Sequence, residues 1–115
     1  MDTQSLVIVV VAAGAFAGLW WLKRPDINAA RARQLVAGGA RLVDVRSASE
    51  FAAGHLEGAR NIPVGEIGRR AREVGDKSKP VIVYCASGTR SAMAKRTLKS
   101  AGFIEVYNLG TMANW

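Results

Sequence analysis

Two chemically important residue types are almost missing from this chain. Cys85 is its only thiol and His55 its only imidazole among 115 residues. A lone cysteine cannot close an intramolecular disulfide, which excludes a disulfide-stapled fold and fits a reducing compartment where the thiol stays free. One cysteine and one histidine are also a poor start for a zinc site. His55, in the Gly-flanked turn "GHLEG", reads instead as a residue that steadies its turn with a hydrogen bond. Acidic residues are scarce too, 9 against 16 Lys and Arg, which gives a formal charge of +7. That balance is compatible with nucleic acid, an anionic membrane surface or an anionic substrate. The cluster Arg69, Arg70 and Arg72 lacks interleaved aromatics, so it reads as a solvated or membrane-facing surface and no nucleic-acid partner is expected. Internal repeats and low-complexity tracts are missing as well.

Charge is absent altogether from residues 3–22, where "SLVIVVVAAGAFAGLWWL" is nearly all aliphatic, small or aromatic. About 18 residues of helix span roughly 27 Å, close to the hydrocarbon thickness of a bilayer. Trp20 and Trp21 end the run, and Lys23 and Arg24 follow at once. Indole rings favour the membrane interface and cationic flanks stay on the cytoplasmic side. A cleaved signal peptide would carry its positive charge before the run, and a buried core helix would need more protein around it than the remaining chain supplies. The expectation is therefore a short tail at 1–4, a transmembrane helix at 5–22, a linker at 23–28 and one domain at 29–115. The domain would sit on the cytoplasmic face of a membrane, the inner one in a bacterium, with its basic residues facing an anionic leaflet.

The rest of the chain alternates helical and extended patterns. "INAARARQLVAGG" reads as a helix capped by Asn28 and stopped by Gly38 and Gly39. "RLVDVR" is a strand, and Ser47 with Glu50 has the spacing of a capping box that opens a short helix. "RNIPV" is a short extended piece and "EIGRRAREVG" a short basic helix. "KPVIVYC" is the clearest strand, its unbroken apolar run suited to burial on both faces of a parallel sheet. "SAMAKRTLKSAG" is a helix with Ala92, Met93, Arg96 and Leu98 dividing its apolar and polar faces, and "IEVYNL" the last strand. Strands separated by helices predict an α/β fold with a small, mainly parallel sheet flanked by helices.

Cys85 falls at the carboxyl end of the strand "VIVY", where open α/β sheets bind their ligands. A short loop of Ala86, Ser87, Gly88 and Thr89 leads to Arg90 and the next helix. Such a loop can turn its backbone N–H groups onto a centre, and Gly88 permits a conformation that a side chain would obstruct. Oriented donors and a nearby guanidinium stabilise a thiolate, so the Cys85 pKa is expected to fall. A free cysteine is more commonly a small buried hydrophobe, but the loop, glycine and arginine together point to a nucleophile.

"LVDVRSASEFAAGHLEGARNIPV", "VIVYCASGTRSAMAKRTLKSAGF" and "VYNLGTMANW" together resemble a single-domain rhodanese, a sulfurtransferase with a three-layer α/β fold. The resemblance covers about residues 29–115. It implies that Cys85 takes a sulfane sulfur and becomes a persulfide. It also implies that the amides of Ala86, Ser87, Gly88, Thr89 and Arg90 line the pocket, with Arg90 touching an anionic donor such as thiosulfate. Asp44 and Arg46 are implied to support the loop. Neither metal nor organic cofactor is implied, and the acceptor would be cyanide, a small thiol or a partner protein's thiol. Two features depart from the family pattern: Thr111 stands where a second glycine is common, and relatives usually continue beyond Trp115. Cys-loop tyrosine phosphatases place five residues between cysteine and arginine; here there are four. The rival expectation is a membrane-tethered docking or regulatory module of the same fold with little turnover.

Overall fold

The computed structural model describes residues 24–115. The expected tail and membrane helix at 1–4 and 5–22 lie outside the described residues. Among the described residues, no helix is long and apolar enough to cross a membrane.

Local signals place most of the elements. Asn28 caps helix α1 (Ala29–Ala37) by accepting the Arg31 N–H at 2.8 Å, and Gly38 ends it. Strand β1 (Arg41–Asp44) follows. Helix α2 (Ala48–Ala53) opens on the complete capping box: the Ser47 hydroxyl accepts the Glu50 N–H, and the Glu50 carboxylate accepts the Ser47 N–H. Strand β2 is only Arg60–Asn61. Strand β3 (Val81–Cys85) is buried along its whole length, helix α3 (Thr89–Ser100) follows the cysteine loop, and β4 (Val106–Thr111) closes the sheet.

The four strands are all parallel, in the order β2-β1-β3-β4. The chain thus moves outward from β1 to β2, then crosses to the other side for β3 and β4. The switch point lies between the carboxyl ends of β1 and β3, where a crevice for ligands forms in such sheets. Alternation along the strands divides the core. Val43, Val81, Val83, Cys85 and Val106 pack with Ala94, Leu98 and Phe103 on the α3 side. Leu42, Ile82, Tyr84 and Leu109 pack with Ile27 and Ala32 on the α1 side. Within the expected linker, Asp26 and Ile27 are already part of this domain: Ile27 is in the core and the Asp26 N–H donates to the Asn108 carbonyl.

Two expectations need correction. "EIGRRAREVG" forms no α-helix but two 3-10 turns, Val64–Glu66 and Ala71–Val74. Gly68 lowers its helix propensity, and ion pairs from Arg70 to Glu66 and Glu73 fix the tighter path instead. Met93 is not on the apolar face of its helix: it is more than half exposed, and Ser91, Ala94 and Leu98 form the buried stripe.

The carboxyl end of β1 carries a buried ion pair. Asp44 is fully buried, and its carboxylate accepts from the Arg46 backbone N–H at 2.9 Å and from the Arg46 guanidinium at 2.7–3.1 Å. Arg46 also donates to the Gly54 carbonyl at 2.7 Å, tying the end of α2 to the sheet. Removing one partner of such a pair leaves a buried charge uncompensated. Asp44→Ala is therefore expected to lower stability by about 3–5 kcal/mol in urea unfolding, against a negligible change if the pair is dispensable.

Candidate active site

Strand β3 delivers Cys85 to the switch point, on the α3 side of the sheet. The next residues turn sharply. Gly88 has φ +90°, a left-handed conformation that L side chains rarely adopt, and it is the residue from which α3 starts. That conformation points the Gly88 N–H back at Cys85 Sγ, at 2.9 Å. From the first turn of α3, the Ser91 hydroxyl lies 3.3 Å from the same sulfur. Both Cys85 and Ser91 are fully buried.

Burial pushes the Cys85 thiol up, but the Ser91 hydroxyl and the N–H groups of Ser91, Ser87 and Gly88 outweigh it and hold the thiol below its ordinary value. Hydrogen bonds to the charged form favour the thiolate, as the positive end of a helix also does. The lowering expected from the loop is present, and its named donors are the Ser91 hydroxyl and the Ser91, Ser87 and Gly88 N–H groups.

Of the expected loop residues, Ser87 and Gly88 direct their N–H groups at the sulfur. Ala86, Ser87 and Thr89 are exposed, Gly88 is buried and Arg90 half-buried. Arg90, however, is already engaged. Its guanidinium forms two parallel hydrogen bonds with the Glu50 carboxylate, at 2.7 and 3.0 Å. This contact joins residues 40 positions apart. The Arg90 guanidinium beside it, then the Ser47 N–H, hold the Glu50 carboxyl down to about 2. Because that value lies below the ordinary 4.5, the pair contributes fully above about pH 4.5 and fades as the pH falls toward 2.

Asp44 and Arg46 stand at the neighbouring strand end. They bind one another and the Gly54 carbonyl, so they brace the α2 segment that carries Glu50. The Arg46 guanidinium lies 5.8 Å from the centre of the Tyr84 ring. Burial pushes the Tyr84 phenol up to about 12, and its oxygen accepts the Leu56 N–H at 3.1 Å. His55 stacks on Phe51, with ring centres 3.6 Å apart, and its Nδ1 is 2.9 Å from the Phe51 carbonyl oxygen. It steadies its turn, as its setting predicts. Among the described residues no group of three His, Cys, Asp or Glu side chains could hold a metal ion.

Three residues of the site were not identified from the sequence. Ser91 shows there only as the start of a helix, although a small hydroxyl one turn beyond Gly88 is a usable signal. Glu50 shows as a helix cap, with nothing to indicate its partner. Asn108 is a buried polar residue in the apolar run "VYNL", and that incongruity is its signal. Its side chain donates to the Gly88 carbonyl at 3.2 Å and accepts the Gly110 N–H at 2.9 Å. It therefore fixes the cysteine loop to β4 where the ladder shifts register, between Val83↔Asn108 and Tyr84↔Gly110. Gly110 itself has φ +87°, and Thr111, the position departing from the family pattern, pairs with Cys85.

A family model described as the rhodanese-like domain matches residues 28–115, which include every element above. The chain belongs to the rhodanese family. Among curated relatives, YqhL of Bacillus subtilis is 44% identical over 77 residues, which are 66% of this chain and 60% of that protein. Thiosulfate sulfurtransferase PspE of Escherichia coli is 41% identical over 69 residues, 59% of this chain and 66% of that protein. The matches thus span somewhat less than two thirds of these relatives. The solved structure of the human single-domain sulfurtransferase TSTD1 superposes with a TM-score of 0.70 at 31% identity, covering 80% of this chain and 95% of that one. This rhodanese-like domain carries a single, buried cysteine at the end of its third strand.

Ser91 tests the electrostatics of the loop. In Ser91→Ala, Cys85 keeps its burial but loses the hydroxyl, so its pKa is expected to rise. The pH profile of Cys85 alkylation by iodoacetamide should shift to higher pH; an unmoved profile would show that Ser91 has no part in stabilising the thiolate.

Proposed function

We propose that this rhodanese moves a sulfane sulfur from an anionic donor, such as thiosulfate, to an external thiophilic acceptor through a persulfide on Cys85. The observation that carries the proposal is the Gly88 N–H aimed at Cys85 Sγ, joined there by the N–H groups of Ser87 and Ser91. The activity named for PspE supports the same reading.

Donors that stabilise a thiolate do the same for a persulfide anion, one sulfur further out. The Cys85 thiolate attacks the outer sulfur of thiosulfate, the S–S bond breaks and sulfite leaves with the bonding pair. Negative charge is conserved and passes to the terminal sulfur of the persulfide, which the amides of Ala86, Ser87, Gly88, Thr89 and Arg90 receive. A second nucleophile then takes that sulfur and restores the thiolate. No second cysteine is available in the chain to resolve the persulfide as a disulfide. The acceptor is accordingly cyanide in an assay, a small thiol or a protein thiol. Cys85 has no accessible surface in this conformation, so uptake requires the exposed loop residues around it to shift. The apolar run at 5–22 supports a membrane tether that would hold this chemistry at the cytoplasmic face.

One preparation of the full chain tests both parts. The chain is expected in the membrane fraction, and recovery in the soluble fraction would remove the tether without touching the chemistry. Intact-mass spectrometry after incubation with thiosulfate or a persulfide should show a gain of about 32 Da that cyanide removes and Cys85→Ser lacks. A folded chain that gains no sulfur from either donor would contradict the sulfurtransferase reading and favour a docking module.

A further inference from the structure

Strand β4 is an edge of the sheet, and the outward N–H and C=O groups of an edge strand have no partner strand. At Asn108 a single residue takes both. The Asp26 carboxylate accepts the Asn108 N–H through Oδ1 at 2.7 Å, and the Asp26 N–H donates to the Asn108 carbonyl at 2.9 Å. The two residues are 82 positions apart in the chain. Asp26 Oδ2 pairs with Lys95 of α3, the helix that follows the cysteine loop. Residues on either side of Asp26 reinforce this clasp. Ile27 is in the core, and a Cβ on Gly110 would lie 3.3 Å from Pro25 Cγ.

The clasp falls on the β4 residue whose side chain holds the loop. Asn108 Nδ2 donates to the Gly88 carbonyl at 3.2 Å, and the Gly88 N–H meets Cys85 Sγ at 2.9 Å. Asn108 also stands where the ladder to β3 shifts register, between Val83↔Asn108 and Tyr84↔Gly110. A ladder is locally disrupted at such a shift, so the backbone there depends more on its outer partner. The contacts run without a gap from Asp26 to Asn108, to Gly88 and to the sulfur.

We infer that Asp26 is a positioning residue for Cys85. By fixing Asn108 from the sheet edge, it keeps the Gly88 N–H aimed at the thiolate. The segment expected as a linker between the apolar run and the domain is thereby a working part of the site. The inference deepens the reading of Cys85 as the reactive thiol given above and rests on it.

The test compares the full chain with Asp26→Ala and Asp26→Asn by the pH profile of Cys85 alkylation with iodoacetamide. Asp26 is exposed, so neither substitution opens the core, and circular dichroism checks the fold. The Arg90–Glu50 pair beside the loop is untouched by both. Alanine loses the acceptor for the Asn108 N–H, and the alkylation midpoint should rise by about half a pH unit or more. Removing a carboxylate's charge would by itself favour the thiolate, so a rise has the opposite sign from a direct charge effect. Asparagine keeps an oxygen at the same place and should restore a midpoint close to wild type. A merely structural role would lower the melting temperature or speed alkylation at every pH, with the midpoint unmoved. An unmoved midpoint in Asp26→Ala overturns the inference, and so does a rise in Asp26→Asn equal to that in Asp26→Ala. Sulfur uptake from thiosulfate, read by mass in the same samples, keeps the two levels apart. A wild-type chain that alkylates with the expected profile but gains no sulfur refutes the sulfurtransferase reading and leaves the role of Asp26 to the midpoints.

Discussion

The structure turns on one hydrogen bond, from the Gly88 N–H to the sulfur of Cys85. A buried thiol left to itself would be a small hydrophobe with a raised pKa. Reversing that requires donors inside the core: the Ser91 hydroxyl and, from the loop, backbone N–H groups. They point inward only because Gly88 takes a left-handed conformation. That conformation in turn must be held at both ends. Strand β3 fixes one end through its ladders to β1 and β4, and Asn108 fixes the other by accepting Gly110 and donating to the Gly88 carbonyl. The sheet is built so that its most buried strand ends where the donors converge.

Around that centre the charges are arranged in closed pairs. The buried Asp44–Arg46 pair reaches out to the Gly54 carbonyl and so fixes helix α2 against the strand end. Helix α2 presents Glu50, and Glu50 holds the arginine of the cysteine loop. The chain of contacts runs from β1 through α2 to the start of α3. The Cys85 sulfur there is met by dipoles that the fold has already oriented.

Much of this was legible in the amino-acid order because it depends on local rules. Asn28, the Ser47–Glu50 box, the buried run of β3 and the small loop after Cys85 all form as their neighbours dictate. The segment at 66–75 forms tighter turns because Gly68 interrupts it and its arginine–glutamate pairs hold that path. The partners of Arg90 and Gly88 were illegible for another reason. Glu50 and Asn108 lie 40 and 20 residues away, and only the sheet order brings them to the loop. An arginine next to a reactive cysteine invites the reading that it binds substrate; the sequence contains no sign that a helix cap elsewhere already holds it.

The most direct measurement of the central claim is the ultraviolet titration of the Cys85 thiolate in the folded wild-type chain, where no other thiol contributes. A cysteine held by converging donors deprotonates below the value of about 8.5 that a free cysteine shows. A midpoint at or above that value would mean that burial wins over the loop, and that Cys85 is a core residue in a fold that has kept the shape of the site without its chemistry.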